Sequence, residues 1–334
     1  MSAQGIPTPQ WAPVGGTWSV GLDVGGTKVL GVLLDADGVV THQLRSATVG
    51  GAAGVVDTAV SVVEELCAGA GIAVGELAGV GIGLPGVVDP TDGTVEHAVN
   101  LGIEERTPLA ALVAERLGVR VHVENDLTVA VVGAAHTVDG GHATTRDGVV
   151  HDTVVHDLAF LALGTGLAAG LLLEGRLRRG STGGAGEIGH LTLVPDGLPC
   201  KCGQLGCLEQ YASGSALDTA WPSTYGRPAP EELFAAAEAG DPVAVGIRDQ
   251  FAWAVAAAVR ILVLTCDVEL VVIGGGVSAL GQPLLRAVTA ELEREAQASP
   301  FLATMGLARR VSLAPADVPV GAVGAALLGR GEYV

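Results

Sequence analysis

WSVGLDVGGTKVLGVLL, residues 18–34, carries the strongest signal for the architecture of this chain. Residues 18–23 and 29–34 are short apolar runs, and such runs predict two buried strands. Between them, Gly25-Gly26-Thr27-Lys28 has the composition of a turn. The stretch therefore predicts a β-hairpin with a glycine-rich tip.

A second hairpin of the same kind lies in the other half of the chain. Residues 158–173 predict a strand, a Gly164-Thr165-Gly166 turn and a strand, and 25–34 aligns with 164–173, with Gly31 on Gly170. The repeat indicates a weak internal duplication. The 334 residues suffice for about two domains. The sequence thus predicts a two-domain α/β protein.

Strands and helices alternate through both halves. Residues 52–70, 107–117 and 127–136 have helical spacing in the first half, and 77–84 and 119–123 predict strands. In the second half the predicted helices are 230–240, 243–264 and 320–328, and 269–273 is a predicted strand. The polar, glycine-rich residues 137–152 predict a surface loop between the halves.

The glycine turns are candidate phosphate sites. Asp23 ends a strand beside bare amides that can approach a phosphate, and Thr27 and Lys28 follow with a hydroxyl and an ammonium. A glycine pair is equally typical of a simple hairpin tip. Gly164-Thr165-Gly166 repeats the pattern, and two such hairpins suggest a cleft that holds a polyphosphate from both sides. Gly274-Gly275-Gly276 is a third glycine turn, and turns of this kind are common without a ligand.

Composition narrows the function classes. The net charge of −18 repels nucleic acid and acidic membranes. The N-terminus has no secretory pattern, and the longest apolar run, 159–173, is broken by glycines, so we expect a cytoplasmic protein without a membrane segment. The five cysteines, an odd number in a reducing compartment, favour metal ligation or burial over disulfides.

Three of those cysteines lie close together after a histidine. His190 is followed by Cys200, Cys202 and Cys207, and Gly203 and Gly206 can let this segment fold around one point. Four Cys or His ligands satisfy tetrahedral Zn²⁺, so the pattern predicts a structural zinc site. The alternative is three buried thiols and a surface histidine.

Candidate acid–base groups follow the strand at 119–123. In Glu124-Asn125-Asp126, the aspartate can be held over a site as a proton acceptor, although the triplet is equally typical of a helix cap. Glu187 and Glu209 flank the cysteine segment, where zinc would make them rigid acceptors for hydroxyl groups; the alternative is surface carboxylates.

Two groups of charged or titratable side chains favour solvent exposure. The histidines at 136, 142, 151 and 156 fall in or beside the polar loop, and their irregular spacing favours a solvated loop over a second metal site. Arg176, Arg178 and Arg179 form the one basic cluster, which either contacts phosphate or keeps a hairpin end in solvent.

The motifs occur together in an order that resembles the ROK family of sugar kinases and repressors. The resemblance spans about residues 18–328 and rests on these motifs: Asp23-x-Gly-Gly-Thr-Lys28, Gly83-x-Pro-Gly86, Glu124-Asn-Asp126, Gly164-Thr-Gly166, Glu187-x-x-Gly-His190, Cys200-x-Cys-Gly-x-x-Gly-Cys-x-Glu209 and Gly274-Gly-Gly276.

The resemblance implies the duplicated actin-like ATPase (ribonuclease H-like) fold, with two domains, a central cleft and a zinc knuckle. We expect a flexible tail at 1–17, an N-terminal domain of 18–127 with 315–334, and a C-terminal domain of 128–314 with the zinc-binding loop at 190–207. Relatives are commonly dimers, which implies a homodimer or a higher homo-oligomer.

The resemblance also implies an activity and roles for residues. The activity is ATP-dependent phosphorylation of a hexose at its 6-hydroxyl, with Mg²⁺ bound to ATP near Asp23. Asp126 is the implied general base. The implied hexose ligands are Asn100, Asn125, Asp126, Glu187, His190 and Glu209. The implied nucleotide ligands are Asp23, Gly25, Gly26, Thr27, Lys28, Gly164, Thr165, Gly166, Gly274, Gly275 and Gly276. His190, Cys200, Cys202 and Cys207 are the implied zinc ligands.

Several alternatives remain at this point. Glucose-type members often carry a tryptophan shortly after Asn100, whereas this chain has Leu101-Gly102-Ile103-Glu104. Glucose is the first expectation and mannose the second, followed by fructose or an N-acetylated amino sugar. The arginine cluster leaves polyphosphate open as the donor. A repressor needs a DNA-binding module ahead of the first hairpin, and only 22 residues precede Asp23. A non-catalytic sugar sensor is a further alternative.

Overall fold

The computed structural model of this protein describes residues 17–139, 145–146, 149–150 and 155–333. The chain divides into two compact units. Unit 1 comprises Met1–His136 and Pro319–Val334, and unit 2 comprises Thr137–Val318. Most of the tail predicted at 1–17 lies outside the described residues.

Unit 1 is built on a five-stranded sheet in the order β3-β2-β1-β4-β7. Its strands are Trp18–Val24 (β1), Lys28–Leu34 (β2), Val40–Ala47 (β3), Leu77–Leu84 (β4) and Val121–Asn125 (β7). A small antiparallel pair, Val87–Asp89 (β5) and Thr94–Glu96 (β6), accompanies it. The helices are Ala52–Ala70 (α1), Leu109–Leu117 (α2), Asp126–Asp139 (α3) and Val320–Gly329 (α9).

The core of unit 1 follows from the alternation of side chains along β1. Val20 and Leu22 are buried in an apolar cluster with α1. On the opposite face, a Cβ at Gly21 would lie 1.9 Å from the carbonyl oxygen of Ala322. Glycine at this position therefore lets α9 pack directly on the strand backbone.

Unit 2 repeats this arrangement. Its five-stranded sheet has the order β12-β11-β10-β13-β14, with strands Leu158–Leu163 (β10), Leu167–Leu173 (β11), Arg176–Leu177 (β12), Leu270–Gly274 (β13) and Val311–Leu313 (β14). Thr145–Arg146 (β8) and Val149–Val150 (β9) form a separate pair. The helices are Gly214–Ala220 (α4), Ala229–Glu238 (α5), Pro242–Cys266 (α6), Gln282–Ala298 (α7) and Pro300–Met305 (α8).

The duplication predicted from the two hairpins is confirmed by strand pairing. In each sheet the hairpin strands are antiparallel, and the first of them pairs in parallel with the next strand, β4 in unit 1 and β13 in unit 2. The predicted match of Gly31 with Gly170 is wrong in register. The pair Val24–Val29 closes the first tip over four residues, whereas Leu163–Leu167 closes the second over three. The shorter tip shifts the second strand by one position.

Helix α6 is the one described helix that is long and apolar enough to cross a membrane. Within its most apolar window, 56 % of the residues are buried inside the protein. Phe251, Val255 and Val259 belong to the apolar core of unit 2. Its hydrophobicity is therefore accounted for by burial in the core of unit 2.

Two features of unit 1 differ from the sequence prediction. Strand β3 was not predicted, although its residues alternate between exposed and half-buried positions as an edge strand does.

The predicted domain boundary after residue 127 lies near the start of α3, whereas unit 1 continues to His136. A Cβ at Gly133 would lie 1.8 Å from the Val320 carbonyl oxygen, so α3 packs tightly on α9 and belongs with it. The return to unit 1 comes at Pro319, four residues after the predicted start at 315.

Candidate functional site

The glycine tip of the first hairpin is exposed at Gly26, Thr27 and Lys28. The Gly25 N–H donates to the Lys28 carbonyl at 2.9 Å, and the Thr48 hydroxyl donates to the Gly25 carbonyl at 2.6 Å. Thr48 was not anticipated from the sequence, because only the fold brings β3 beside this turn. The tip is thus a fixed turn with exposed polar groups.

Asn100 lies beside this tip. It is exposed, in the 3₁₀ turn Val99–Leu101. A Cβ at Gly26 would lie 3.0 Å from the Asn100 carbonyl oxygen. A larger residue at position 26 would push the two segments apart, so this glycine permits their close approach. One predicted nucleotide residue and one predicted hexose residue are therefore neighbours in unit 1.

Asp23, at the end of the first strand, has an unusual carboxyl group. The pKa of Asp23 is raised to about 6: burial contributes most, nearby Asp126 also raises it, and Lys28 lowers it. The electrostatic contributions require Asp126 and Lys28 to be close to Asp23. Unit 1 therefore brings the predicted base, the predicted phosphate turn and a carboxylate into one region.

Asn125 and Asp126 form the corner between β7 and α3. The Leu127 N–H donates to Oδ1 of Asn125 at 3.0 Å and to Oδ1 of Asp126 at 2.9 Å. Asn125 Nδ2 donates to the Gly86 carbonyl at 3.4 Å. The structure therefore contains the helix cap that was one of the two alternatives for this triplet. A carboxylate has two oxygens and about four acceptor positions, so capping does not exclude proton transfer.

In unit 2 the second hairpin lies beside the third glycine turn. Gly275 has φ +85°, and its Cβ position would be 2.6 Å from the Leu163 carbonyl oxygen. The Gly164 carbonyl accepts a hydrogen bond from the Gly214 N–H at 2.7 Å. The turn at 274–276 leads into the 3₁₀ turn Gly276–Leu280. The third glycine turn thus lies against Leu163, the residue that precedes the second hairpin tip.

The 3₁₀ turn Ile188–His190, preceded by Glu187, packs on strand β11. A Cβ at Gly189 would lie 2.0 Å from the Leu167 carbonyl oxygen. The Ala169 N–H donates to the Gly186 carbonyl at 2.9 Å. These contacts place Glu187 and His190 beside the second hairpin.

Glu209 joins this hairpin to the cysteine segment. Its Oε2 accepts a hydrogen bond from the Leu167 N–H at 3.3 Å, and its Oε1 is 3.8 Å from the Cys200 sulphur. A Cβ at Gly166 would lie 2.4 Å from Glu209 Oε2. Glycine at position 166 therefore provides the space that this carboxylate occupies.

The predicted metal ligands converge. One ligand atom from each of His190, Cys200, Cys202 and Cys207 lies within 4.8 Å of all the others. The Cys202 and Cys207 sulphurs are 3.6 Å apart, and His190 Nδ1 is 3.8 Å from the Cys200 sulphur. In a tetrahedral zinc site with Zn–S bonds of about 2.3 Å, neighbouring sulphurs are about 3.8 Å apart. The donor set and its spacing therefore fit zinc.

Sequence reasoning missed the amide that contacts this cluster. Gln204 Nε2 donates to the Cys202 sulphur at 3.4 Å and to the His190 carbonyl at 3.2 Å. Its position inside the cysteine motif was the available signal.

A cavity of about 770 Å³, also not foreseen, lies in unit 2 and is lined by residues that include Thr165, Lys201 and Glu209. This volume is within the range of small-molecule sites, about 300–1,000 Å³.

The remaining candidates lie apart from these groups. Arg178 pairs with Glu174 at 3.4 Å, and both side chains are exposed. His136 Nε2 is 3.2 Å from the Gly38 carbonyl oxygen in unit 1. His142 and His151 lie outside the described residues.

Comparisons with known proteins agree with the motifs. The model of the ROK family matches residues 19–332. The glucokinase of Halalkalibacterium halodurans is 30 % identical over 316 residues, which cover 86 % of this chain and 91 % of that protein. The crystal structure of a ROK hexokinase from Thermus thermophilus superposes with a TM-score of 0.74 at 30 % identity, over 93 % of this chain and 97 % of that one.

A further solved structure carries ligands. It is a ROK family glucokinase from Streptomyces griseus in complex with glucose and AMPPNP. Its TM-score is 0.72 at 32 % identity, over 94 % of this chain and 99 % of that one. The actin-like fold expected from the motifs is confirmed. By its motifs, its fold and a match across nearly its whole length, the chain belongs to the ROK family.

Proposed function

We propose that this protein transfers the γ-phosphate of Mg-ATP to the 6-hydroxyl of a hexose, glucose above all, with Asp126 as general base. The chain is a hexokinase-type phosphotransferase, since similarity to glucokinases extends over most of its length. The observation that supports the proposal is that both Asp126 and Lys28 influence the pKa of Asp23, as expected if a carboxylate base lies near the exposed Gly-Gly-Thr-Lys tip.

Asp126 is suited to activate a hydroxyl. In phosphoryl transfer the protein mainly positions the reactants and neutralises charge. The carboxylate would accept the proton of the 6-hydroxyl as that oxygen attacks the γ-phosphorus and the bond to the β-phosphate oxygen breaks. The Lys28 ammonium and the bare amides of the tip would then stabilise charge on the phosphate.

Asp23 fits a role near a cation. Its raised pKa shows that the charged carboxylate is poorly compensated by the protein alone. A nearby Mg²⁺, bound directly or through water, would compensate it, and the ion supplies charge neutralisation on ATP. We assign Asp23 and the glycine turns of both units to the nucleotide, as predicted from the motifs.

The hexose contacts are assigned by unit. In unit 1, the polar side chains of Asn100, Asn125 and Asp126 would bind the sugar. In unit 2, Glu187, His190 and Glu209 would do so, and the hydrogen bond from Leu167 holds the Glu209 carboxylate in one orientation. Oriented carboxylates and amides discriminate strongly between sugars that present or lack a hydroxyl.

We further propose that the four-residue cluster binds structural zinc. Its four protein donors complete a tetrahedron and leave no position for substrate. His190 is one of the four residues, and the carboxylate of Glu209 contacts another of them, Cys200. Zinc would therefore order two of the proposed sugar ligands.

A coupled assay of ADP release tests the substrate assignment. Zinc-replete protein and Mg-ATP would be offered glucose, mannose, fructose, N-acetylglucosamine and N-acetylmannosamine, with polyphosphate as a second donor. The proposal predicts the highest kcat/KM for glucose with ATP. A preference for another sugar would overturn the glucose assignment, and absence of turnover with every sugar and both donors would overturn the kinase. Light scattering would test the homodimer or larger homo-oligomer that we also propose.

A further inference from the structure

A buried carboxylate lies directly beneath the corner that carries Asn125 and Asp126. Glu124 is only 2 % exposed, which is rare for a glutamate. His122 precedes it by two residues on β7, so both side chains extend from the same face of the strand. Neither residue has a role in the proposed chemistry.

Glu124 contacts both the corner and the histidine. Its Oε1 accepts a hydrogen bond from the Asn125 N–H at 3.1 Å. Its Oε2 is 3.8 Å from His122 Nε2, a buried atom with no hydrogen-bond partner in the part of the chain that the structure describes. A buried carboxylate is costly unless hydrogen bonds or opposite charges compensate it, so the hydrogen bond from the Asn125 N–H indicates a structural role for Glu124.

The contact with Asn125 fixes the backbone from which two proposed substrate ligands project. Asn125 Oδ1 and Asp126 Oδ1 share the Leu127 N–H, so the orientation of both side chains depends on the peptide geometry of this corner. The Glu124 hydrogen bond constrains the first peptide of the corner. Rotation of that peptide would displace the Asp126 carboxylate from the attacking hydroxyl.

We propose that Glu124 is a positioning residue for phosphoryl transfer: it holds the Asn125–Asp126 corner through the Asn125 N–H. This role rests on the proposed function, because it assigns to Glu124 the orientation of the proposed base. It concerns side chains of unit 1 alone.

A second buried glutamate offers a matched control. Glu232 in unit 2 is 4 % exposed and accepts hydrogen bonds from the backbone N–H groups of Thr224, Tyr225 and Arg227. It orders a loop that contains none of the proposed ligands. Glu232→Met therefore measures the effect of losing a buried carboxylate that accepts backbone hydrogen bonds, without displacing the proposed base.

The test compares Glu124→Met, which keeps the volume but removes the acceptor, with Glu124→Gln, which keeps an acceptor oxygen. We expect Glu124→Met to lower kcat by about 10- to 100-fold, the usual cost of a small misplacement, with little change in the KM for ATP. Glu124→Gln should restore kcat to within about threefold of the wild type. Glu232→Met should lower the melting temperature and leave kcat unchanged. Glu124→Ala provides a second removal variant should the methionine variant fail to fold.

Hydrogen exchange of the Asn125 amide gives a readout that needs no turnover. It should accelerate in Glu124→Met and Glu124→Ala and stay at the wild-type rate in Glu124→Gln. Unchanged exchange, unchanged kcat in a folded removal variant, or an equal loss of kcat in the glutamine variant would each overturn the proposal. If the wild type phosphorylates no hexose, the proposed function fails, whereas the exchange rates still decide whether Glu124 holds the corner.

Discussion

At the scale of single residues, the proposed chemistry depends on two carboxylates of unit 1, Asp23 and Asp126. Asp126 raises the pKa of Asp23, and burial raises it more. Two carboxylates at close range disfavour each other's ionised form, and such pairs are concentrated in functional sites. In the proposed mechanism Asp126 takes a proton and Asp23 faces a cation, so the two carboxylates have separate tasks.

Replacing the proposed base tests its role directly. Asp126→Asn keeps the shape and the capping oxygen for the Leu127 N–H but cannot accept the proton. We expect turnover to fall by at least about 10²–10⁴-fold, the usual contribution of general base catalysis. Glucose affinity by calorimetry should change little. Turnover close to the wild-type rate would remove the base assignment.

The raised pKa of Asp23 predicts a pH-dependent effect on stability. The folded protein holds this proton up to pH of about 6, whereas an ordinary aspartate loses it near pH 3.8. The cost of the buried charge is therefore absent at low pH and complete above pH 6. Asp23→Asn should therefore stabilise the nucleotide-free protein by about 1–2 kcal/mol at pH 8 and by less at pH 5. Thermal unfolding of both proteins at the two pH values measures this, and a difference independent of pH would contradict the cause assigned here.

At the scale of elements, unit 2 joins the second hairpin, the Glu187–His190 turn and the cysteine segment through Glu209. The Leu167 N–H contacts one oxygen of this carboxylate, Oε2, and the Cys200 sulphur contacts the other, Oε1. The hairpin and the cysteine segment therefore both contact one side chain, so we expect a change in either to alter glucose affinity.

Two glycines of the second hairpin tip allow a controlled test of the link between Glu209 and glucose binding. A Cβ at Gly166 would lie 2.4 Å from Glu209 Oε2, whereas a Cβ at Gly164 would meet no atom within 4 Å. Gly166→Ala should displace Glu209 and weaken glucose binding by about tenfold or more, the equivalent of one lost charged hydrogen bond. Gly164→Ala should leave glucose affinity unchanged. Equal glucose affinities for the two variants by calorimetry would show that Glu209 does not contact the sugar.

The proposed zinc cluster gives an independent test of the same element. Cys202→Ser removes one of four ligands, so we expect zinc content by elemental analysis to fall and glucose affinity to fall with it. Cys266→Ser, outside the cluster, serves as the control and should retain both. Wild-type zinc content in the Cys202 variant would contradict the ligand assignment.

At the scale of the whole molecule, the two similar sheets were predictable because the hairpins repeat their glycine tips. The strand β3 was not, since its alternating pattern in 40–47 is short and polar. The boundary at His136 also escaped the sequence, because it depends on how closely α3 packs on α9 through Gly133, a tertiary contact.

The candidate site was predictable to a similar degree. The residue types and their order in the chain pointed to Asp126, Glu209 and the cysteine cluster. Contacts made by folding were not visible, among them Thr48 with Gly25, Gln204 with Cys202 and Glu124 with Asn125. The spacing of residues along the chain identifies a motif. The contacts that support the motif are made by distant segments or depend on where side chains point, so the sequence does not show them.

The most direct test follows the fate of C6 of glucose. Zinc-replete wild-type protein would be incubated with Mg-ATP and glucose labelled with ¹³C at C6, and ¹³C NMR would follow the splitting of that resonance by phosphorus. The proposed activity predicts a phosphorus-coupled C6 signal that grows with the wild type and is nearly absent with Asp126→Asn. No coupled C6 signal with the wild type, or equal rates for the two proteins, would contradict it.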